Sequence, residues 1–107
     1  MPFEIMLSAE ALGDLRRLRA HQRALVRDAL EQHLRYQPTQ SSRSRIKRLS
    51  GLARPQFRLR VGDIRVFYDV SENAVEVLAI LSKADAEAWL DEAGEQDEEG
   101  TADRSEE

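Results

Sequence analysis

FRLRVGDIRVFYDV, residues 57–70, contains two short segments of alternating apolar residues separated by Gly62-Asp63. A Gly-Asp pair between two such segments is typical of a two-residue β-hairpin turn. The apolar residues expected to pair across this hairpin are Val61 with Ile64, Leu59 with Val66, and Phe57 with Tyr68. The stretch therefore predicts two antiparallel strands with one face directed towards a hydrophobic core.

The opposite face of this hairpin, which we call the arginine face, carries basic side chains. The same register places Arg60 opposite Arg65, and Arg58 opposite Phe67. Like charges paired across a sheet destabilise it by about 0.2–1 kcal/mol, so folding alone does not account for the arginine pair. We expect an anion to bind between these arginines; the alternative is that both side chains extend into water.

Charge is strongly segregated along the 107-residue chain. Residues 1–65 contain 14 Lys and Arg against 6 Asp and Glu, whereas residues 66–107 contain 2 against 14. This asymmetry predicts a domain that binds a polyanion, followed by an acidic appendage.

The composition also argues against several classes of protein. The absence of cysteine excludes a disulfide framework and a thiolate metal site. His21 and His33 are separated on a predicted helix, so we expect no metal site and no cofactor. No apolar run approaches the roughly 20 residues that span a bilayer, and the N-terminus lacks a secretory signal pattern. A cytoplasmic location is therefore expected.

Two helices are predicted between a first strand and the hairpin. Residues 3–7 alternate large apolar residues, which predicts the strand, and Ser8 is suited to cap the helix that follows. The expected buried stripe of this first helix is Leu12, Leu15 and Leu18. A second helix is expected from about residue 20 to residue 36, because Pro38 then ends the helical pattern.

The remaining segments complete the predicted α+β fold. Residues 39–56 are rich in turn formers, which predicts a loop, and residues 82–90 predict a short terminal helix. A further strand, residues 75–81, follows the hairpin and is expected to extend its apolar face through Val77, Ala79 and Leu81. The fold is thus an N-terminal strand, a helix hairpin, a three-strand antiparallel meander and a short C-terminal helix, with the arginine face largely open.

The chain is expected to divide into a folded domain, residues 1–90, and a tail, residues 91–107. The tail contains nine acidic residues, one arginine and no large apolar residue. Such a composition cannot bury enough apolar surface to fold, so the tail is predicted to be disordered.

Further side chains near the arginine face are candidates for binding a nucleic acid. The basic residues of the preceding loop are Arg45, Lys47 and Arg48, and Lys83 follows the last strand. Phe67 shares the arginine face, where a nucleobase can stack on its ring. The alternative is that the tail or a partner shields Phe67.

Trp89 and Leu90 are candidates for binding a partner protein. They are the large apolar residues at the end of the terminal helix, beside a sheet edge. An exposed apolar site of this kind is typical of a docking surface. The alternative is that Trp89 closes the hydrophobic core.

The segments SAEALGDLRRL, RIKRLSGL, FRLRVGDIRVFYDV and AVEVLAILSK follow one another in this order. Together they resemble the RelE/ParE superfamily of bacterial type II toxin–antitoxin systems, over roughly residues 3–90. The resemblance implies a RelE-like microbial ribonuclease fold. It also implies a toxin that a cognate antitoxin protein wraps and neutralises.

RelE-type members of the superfamily cleave messenger RNA in the ribosomal A site, where the 2′-hydroxyl attacks the neighbouring phosphate. Matched residue by residue, the resemblance assigns this catalysis to Arg58, Arg60 and Arg65, which bind phosphate and stabilise charge in the transition state. The family pattern continues with an arginine and a tyrosine, at positions where this chain has Ala84 and Leu90.

The resemblance leaves more than one activity open. The first expectation is a ribosome-dependent mRNA endoribonuclease that inhibits translation without a metal. The second is inhibition of DNA gyrase, which is the activity of ParE-type members. The third is a degenerate member that only binds its antitoxin.

Overall fold

The computed structural model describes residues 1–96 of the chain. In this part of the chain the helices are α1 (Ala9–Arg17), α2 (Ala20–Ala29) and α3 (Lys83–Ala93). The strands are β1 (Glu4–Leu7), β2 (Ile46–Arg48), β3 (Leu52–Arg54), β4 (Phe57–Val61), β5 (Ile64–Val70), β6 (Ala74–Ser82) and β7 (Glu95–Gln96). A π-helical turn, Leu30–Leu34, continues α2. The predicted α+β fold is confirmed, with strands β2 and β3 in the segment predicted as a loop.

The main sheet has the strand order β1-β6-β5-β4-β2. β1 pairs with β6 in parallel, and the other neighbours are antiparallel. The register of the central hairpin is the predicted one, from Val61 opposite Ile64 to Phe57 opposite Tyr68. Gly62 has a φ of 59° in the turn, a conformation that side chains with a Cβ rarely adopt.

One turn of α1 covers the edge of β6 where β1 ends. The buried carboxylate of Asp14 accepts a hydrogen bond from the Ile80 backbone N–H at 3.0 Å. Leu12, predicted to be buried, is 39% exposed. The buried residues of α1 are instead Ala11, Asp14 and Leu15. The prediction was wrong because the hydrogen bond to β6 turns Asp14 towards the sheet, which helical spacing alone does not show.

The register between β5 and β6 also differs from the prediction. Leu78 is an extra residue between the pair Phe67–Ala79 and the pair Tyr68–Val77. This bulge moves both Ala79 and Leu81, which were predicted on the apolar face, to the arginine face, opposite Phe67 and Arg65. The Ser8 hydroxyl donates to the Leu78 carbonyl at 3.1 Å, so the bulge is tied to the start of α1.

The main core lies between the helix hairpin and the apolar face of the sheet. Its largest fully buried side chains include Leu34, Leu59, Val66 and Tyr68. The Tyr68 hydroxyl donates to the Pro38 carbonyl at 2.7 Å, which ties the segment after α2 to the sheet.

A second, smaller core covers part of the arginine face, which was predicted to be open. Phe67 is 1% exposed and packs with Ala79 and Ala86. The Trp89 ring stacks on Phe67 with 5.1 Å between the ring centroids. The prediction was wrong because α3 folds back over the sheet instead of lying beside its edge.

The predicted boundary between domain and tail also moves. Helix α3 continues to Ala93, and Glu95–Gln96 pairs with β3 as a small second sheet. The rest of the predicted tail, residues 97–107, lies outside the described residues. No helix within residues 1–96 is long and apolar enough to cross a membrane.

Candidate functional site

Four basic residues share one region of the arginine face, and we call them the cationic cluster. The register of the sheet places Lys47 opposite Arg58, and Arg60 opposite Arg65. Alternation along β4 then puts all four side chains on the same face. The structure therefore brings together the three arginines predicted to be catalytic and one of the predicted RNA-binding residues.

Arg58 lies at the centre of the cationic cluster. Its Nε is buried and has no hydrogen-bond partner among residues 1–96. Burial lowers the pKa of Arg58, and the charges of Arg65 and Arg60 lower it further. A buried guanidinium N–H without an acceptor is unfavourable, and an anion bound beside it would supply that acceptor.

Arg65 holds the hairpin turn as well as contributing charge. The side chain is 8% exposed, and Nη1 donates to the Gly62 carbonyl at 2.9 Å and to the Ile64 carbonyl at 3.2 Å. These carbonyl groups are neutral, and within residues 1–96 no ion pair cancels the positive charge of Arg65. Arg65 therefore acts on a bound anion mainly through its field and by positioning the turn.

Arg60 and Lys47 form the exposed part of the cationic cluster. The Arg60 backbone N–H donates to the Arg45 carbonyl at 2.8 Å, which extends the ladder between β4 and the start of β2. In the described part of the chain, no carboxylate forms a salt bridge with any member of the cluster. The exposed members are therefore free to contact an anionic ligand.

Two other basic residues of the same segment lie elsewhere. The guanidinium of Arg48 lies over the Phe57 ring, 5.3 Å from its centroid, on the face that carries the main core. Arg54 forms salt bridges with Asp69 at 2.7 Å and with Glu76 at 3.1 Å. Basic composition alone does not distinguish these paired or stacked residues from the cationic cluster.

The remaining predicted site residues lie around α3. Lys83 is exposed at the first position of this helix, and its backbone N–H donates to the Asp63 carbonyl in the hairpin turn at 2.7 Å. Because Trp89 covers Phe67, no nucleobase can stack on Phe67 in this arrangement. Leu90 packs beside the same core, and the role of this pair in binding a partner stays a prediction.

The structure also reveals a neighbourhood that the sequence did not predict. Arg45 and His33 line one polar cleft at the end of α2. Burial lowers the pKa of His33, and the charge of Arg45 lowers it further. The two residues are distant in sequence and follow no recognised motif, so nothing in their spacing indicated the cleft.

The cationic cluster can bind phosphate and stabilise negative charge that develops on it. In the described part of the chain, no hydrogen bond joins a carboxylate, histidine or tyrosine side chain to the cluster. Within residues 1–96, no group of three His, Cys, Asp or Glu side chains is arranged to hold a metal ion.

Three solved structures with a similar fold are toxin–antitoxin complexes. One is the RelBE2 complex from Mycobacterium tuberculosis, with a TM-score of 0.59, 22% identity, and coverage of 77% of this chain and 99% of that chain. The archaeal RelE–RelB complex from Pyrococcus horikoshii has a TM-score of 0.59 and 22% identity, with 78% and 97% covered. The RelB–RelE complex from Methanococcus jannaschii has a TM-score of 0.60 and 18% identity, with 78% and 96% covered.

At 18–22% identity, the structural similarity establishes the fold only. The family is assigned from the sequence. No curated protein matches the sequence. The family described as "ParE toxin of type II toxin-antitoxin system, parDE" matches residues 5–87. The chain therefore belongs to the RelE/ParE superfamily, as a toxin of a type II toxin–antitoxin system.

Proposed function

We propose that this toxin inhibits translation by binding the backbone of ribosome-bound mRNA at the cationic cluster and cleaving it in the RelE manner. The observation that carries the proposal is the buried Nε of Arg58, which lies among like charges and has no acceptor in the part of the chain that the structure describes. A phosphate oxygen is a suitable acceptor, because guanidinium groups bind phosphate in a matched geometry. An action on ribosomes also implies a cytoplasmic location.

In this mechanism the 2′-hydroxyl of the RNA attacks the neighbouring phosphate to form a 2′,3′-cyclic phosphate, and the 5′-oxygen of the next nucleotide leaves. Water accepts the proton of the 2′-hydroxyl and supplies a proton to the leaving 5′-oxygen. Arg58 and Arg60 stabilise the charge that develops on the phosphate oxygens. An arginine is a poor proton shuttle near neutral pH. Ala84 and Leu90 stand where the superfamily pattern has an arginine and a tyrosine, so we expect the cluster to supply charge stabilisation rather than proton transfer.

A cognate antitoxin is the proposed partner. The three solved relatives are toxins in complex with their antitoxins, which supports the same kind of assembly here. Trp89 and Leu90 are proposed to contribute to antitoxin docking, because both remain partly exposed on α3. Antitoxin binding is therefore expected close to the helix that covers Phe67.

Inhibition of DNA gyrase is the second candidate function. Two observations favour it: α3 covers Phe67, and within residues 1–96 no carboxylate, histidine or tyrosine side chain forms a hydrogen bond or salt bridge with the cationic cluster. A toxin that acts by binding a protein needs neither a stacking platform nor a proton shuttle. The matched sequence family is also described by the ParE name.

The test is to induce the toxin in cells without antitoxin and to map transcript 5′ ends, while measuring supercoiling by purified gyrase. RNA cleavage predicts new 5′ ends at ribosome-occupied codons with normal supercoiling. Gyrase inhibition predicts no new 5′ ends and reduced supercoiling by purified gyrase.

A double variant then tests the cluster itself. Arg58→Gln with Arg60→Gln is expected to abolish growth inhibition without lowering the melting temperature, whereas the exposed Arg16→Gln on α1 should remain toxic. A folded double variant with full toxicity would show that the cationic cluster is not the site.

A further inference from the structure

A polar cleft lies between the π-helical turn that continues α2 and the start of β2, and we call it the His33 cleft. Its volume is about 200 Å³. Ile46 forms part of its wall and also belongs to the main core, on the side of the sheet that the helix hairpin covers. The neighbouring Lys47, opposite Arg58, points to the other face. The His33 cleft is therefore separate from the cationic cluster.

The His33 cleft carries positive charge that is not neutralised. Arg45 lines it, and no Asp or Glu of the described chain does so. Among residues 1–96, no hydrogen bond or ion pair engages the Arg45 side chain. Glu31, the carboxylate of the π-helical turn, is paired with Arg35 instead. The charge of Arg45 is therefore free to act on an anionic ligand.

His33 is a second group whose surroundings lack a negative partner. It lies in the π-helical turn, a local helix geometry that often occurs at functional sites. Burial lowers the pKa of His33, and the charge of Arg45 lowers it further. An anion beside the ring would favour the protonated form, in which both ring nitrogens are donors. Binding of an anion would thus reverse the effect of Arg45 on this histidine.

The backbone that carries Arg45 is held in place before a ligand binds. The Arg45 N–H donates to the Ser42 Oγ at 3.1 Å, and the Arg45 carbonyl accepts from the Arg60 N–H at 2.8 Å. The Ser42 Oγ also accepts from the Ile46 N–H at 3.1 Å. In the described part of the chain the Ser42 hydroxyl has no acceptor for its own hydrogen, so it can donate to a ligand in the cleft.

The size and the donors of the His33 cleft select the class of ligand. Clefts for drug-sized molecules have volumes of about 300–1,000 Å³, so a volume of about 200 Å³ suits a small ion or a single chemical group. The side chains of Gln37 and Gln40 also line the cleft and have no hydrogen-bond partner within residues 1–96. Their N–H groups, the Ser42 hydroxyl and the guanidinium of Arg45 are all donors, and a guanidinium matches the geometry of phosphate oxygens.

We propose that the His33 cleft binds a tetrahedral oxyanion of the phosphate class between Arg45 and His33. Arg45 supplies the charge, and the Ser42 hydroxyl and the two carboxamides supply further donors. The bound anion connects the end of the helix hairpin to the edge strand β2. The proposal does not depend on the proposed function, because the cleft shares no side chain with the cationic cluster and lies on the other face of the sheet.

The test follows the two histidines of the chain by NMR, in sodium sulfate and in sodium chloride of equal ionic strength. Sulfate is the probe because it stays a dianion while histidine titrates. We expect it to raise the pKa of His33 by about one unit and to leave His21, an exposed histidine on α2, unchanged. Arg45→Gln should abolish the effect on His33. Arg43→Gln is the matched control, because Arg43 is exposed in the same segment but does not line the cleft.

Three further compounds, added at a fixed pH, identify the source of the group: inorganic phosphate, uridine 5′-monophosphate and uridine. A response of the His33 signals to both phosphates indicates a site for a phosphate ester. A response to inorganic phosphate alone indicates a site for the free ion. Uridine should have no effect, because it lacks the anion.

Several results would overturn the proposal. Sulfate could raise the pKa of both histidines equally, which would indicate a general effect of the salt, or it could raise neither. Persistence of the effect on His33 in folded Arg45→Gln would show that the anion does not bind at Arg45. A response to uridine as strong as the response to its monophosphate would show that the cleft does not select an anion.

Discussion

Replacing Arg58 with methionine is expected to stabilise the toxin and to weaken its binding to RNA. Arg58 shares the arginine face with three other cations, and its buried Nε has no hydrogen-bond partner. Methionine keeps an unbranched apolar chain of similar reach, so the packing of the arginine stem is largely retained. The substitution removes the unpaired N–H and the charge together.

The size of the stabilisation follows from these two contributions. An unsatisfied buried donor costs about 1–3 kcal/mol, and a like-charge pair across a sheet costs about 0.2–1 kcal/mol. Because the outer guanidinium nitrogens lose favourable hydration, we expect a net gain of about 1–2 kcal/mol in the free energy of unfolding. For a domain of this size, each kcal/mol raises the melting temperature by about 4–8 °C.

Urea denaturation of the antitoxin-free protein measures this gain directly. With a slope of about 1–3 kcal/mol per molar urea, the midpoint should rise by roughly 0.5–1 M. Arg60→Met is the matched control, because Arg60 is exposed and its replacement removes only the like-charge pair with Arg65, which should raise stability by no more than about 1 kcal/mol. Both variants should make the salt dependence of binding to single-stranded RNA shallower, by about 0.7 for each phosphate that is no longer neutralised.

Two results would refute this reasoning. If Arg58→Met unfolds at a lower urea concentration than the wild type, Arg58 stabilises the fold and is not held there for a ligand. If Arg60→Met gains as much stability as Arg58→Met, the gain comes from a lower net charge in general and not from the unpaired Nε.

Two further predictions concern the C-terminal part of the chain. Trp89→Ala removes the stack on Phe67 and the hydrogen bond from Nε1 to Glu10 at 2.8 Å, so calorimetry should show a loss of about 2 kcal/mol. The same variant should weaken the antitoxin complex by more than this loss; unchanged affinity would make Trp89 a core residue only. Truncation after Gln96 removes six acidic residues and one arginine, and it should tighten RNA binding at low salt by ending competition from a tethered polyanion. The difference should shrink as salt screens the charges, and equal affinities at low salt would leave solubility as the supported role of this segment.

The hairpin of β4 and β5 shows what the sequence determined by itself. Its two-residue turn and alternating pattern were sufficient to predict every pair from Phe57–Tyr68 to Val61–Ile64, because such a turn sets the register of both strands. The same register predicted that Arg60 lies opposite Arg65. The helix hairpin and the capping of α1 by Ser8 were also predictable, because they depend on residues that are close together in the sequence. The cationic cluster was therefore predictable, since strand alternation alone places its arginines on one face.

Only the tertiary structure decided what covers that face. α3 could lie at the edge of the sheet or fold over it, and its sequence does not distinguish these positions. The stack of Trp89 on Phe67 joins residues far apart in the chain, as does the hydrogen bond from Ile80 to Asp14. The bulge at Leu78 and the polar cleft lined by His33 and Arg45 arise in the same way. Local propensity sets the conformation of a segment, whereas the choice among packings depends on free energies summed over contacts between distant segments, which no short pattern contains.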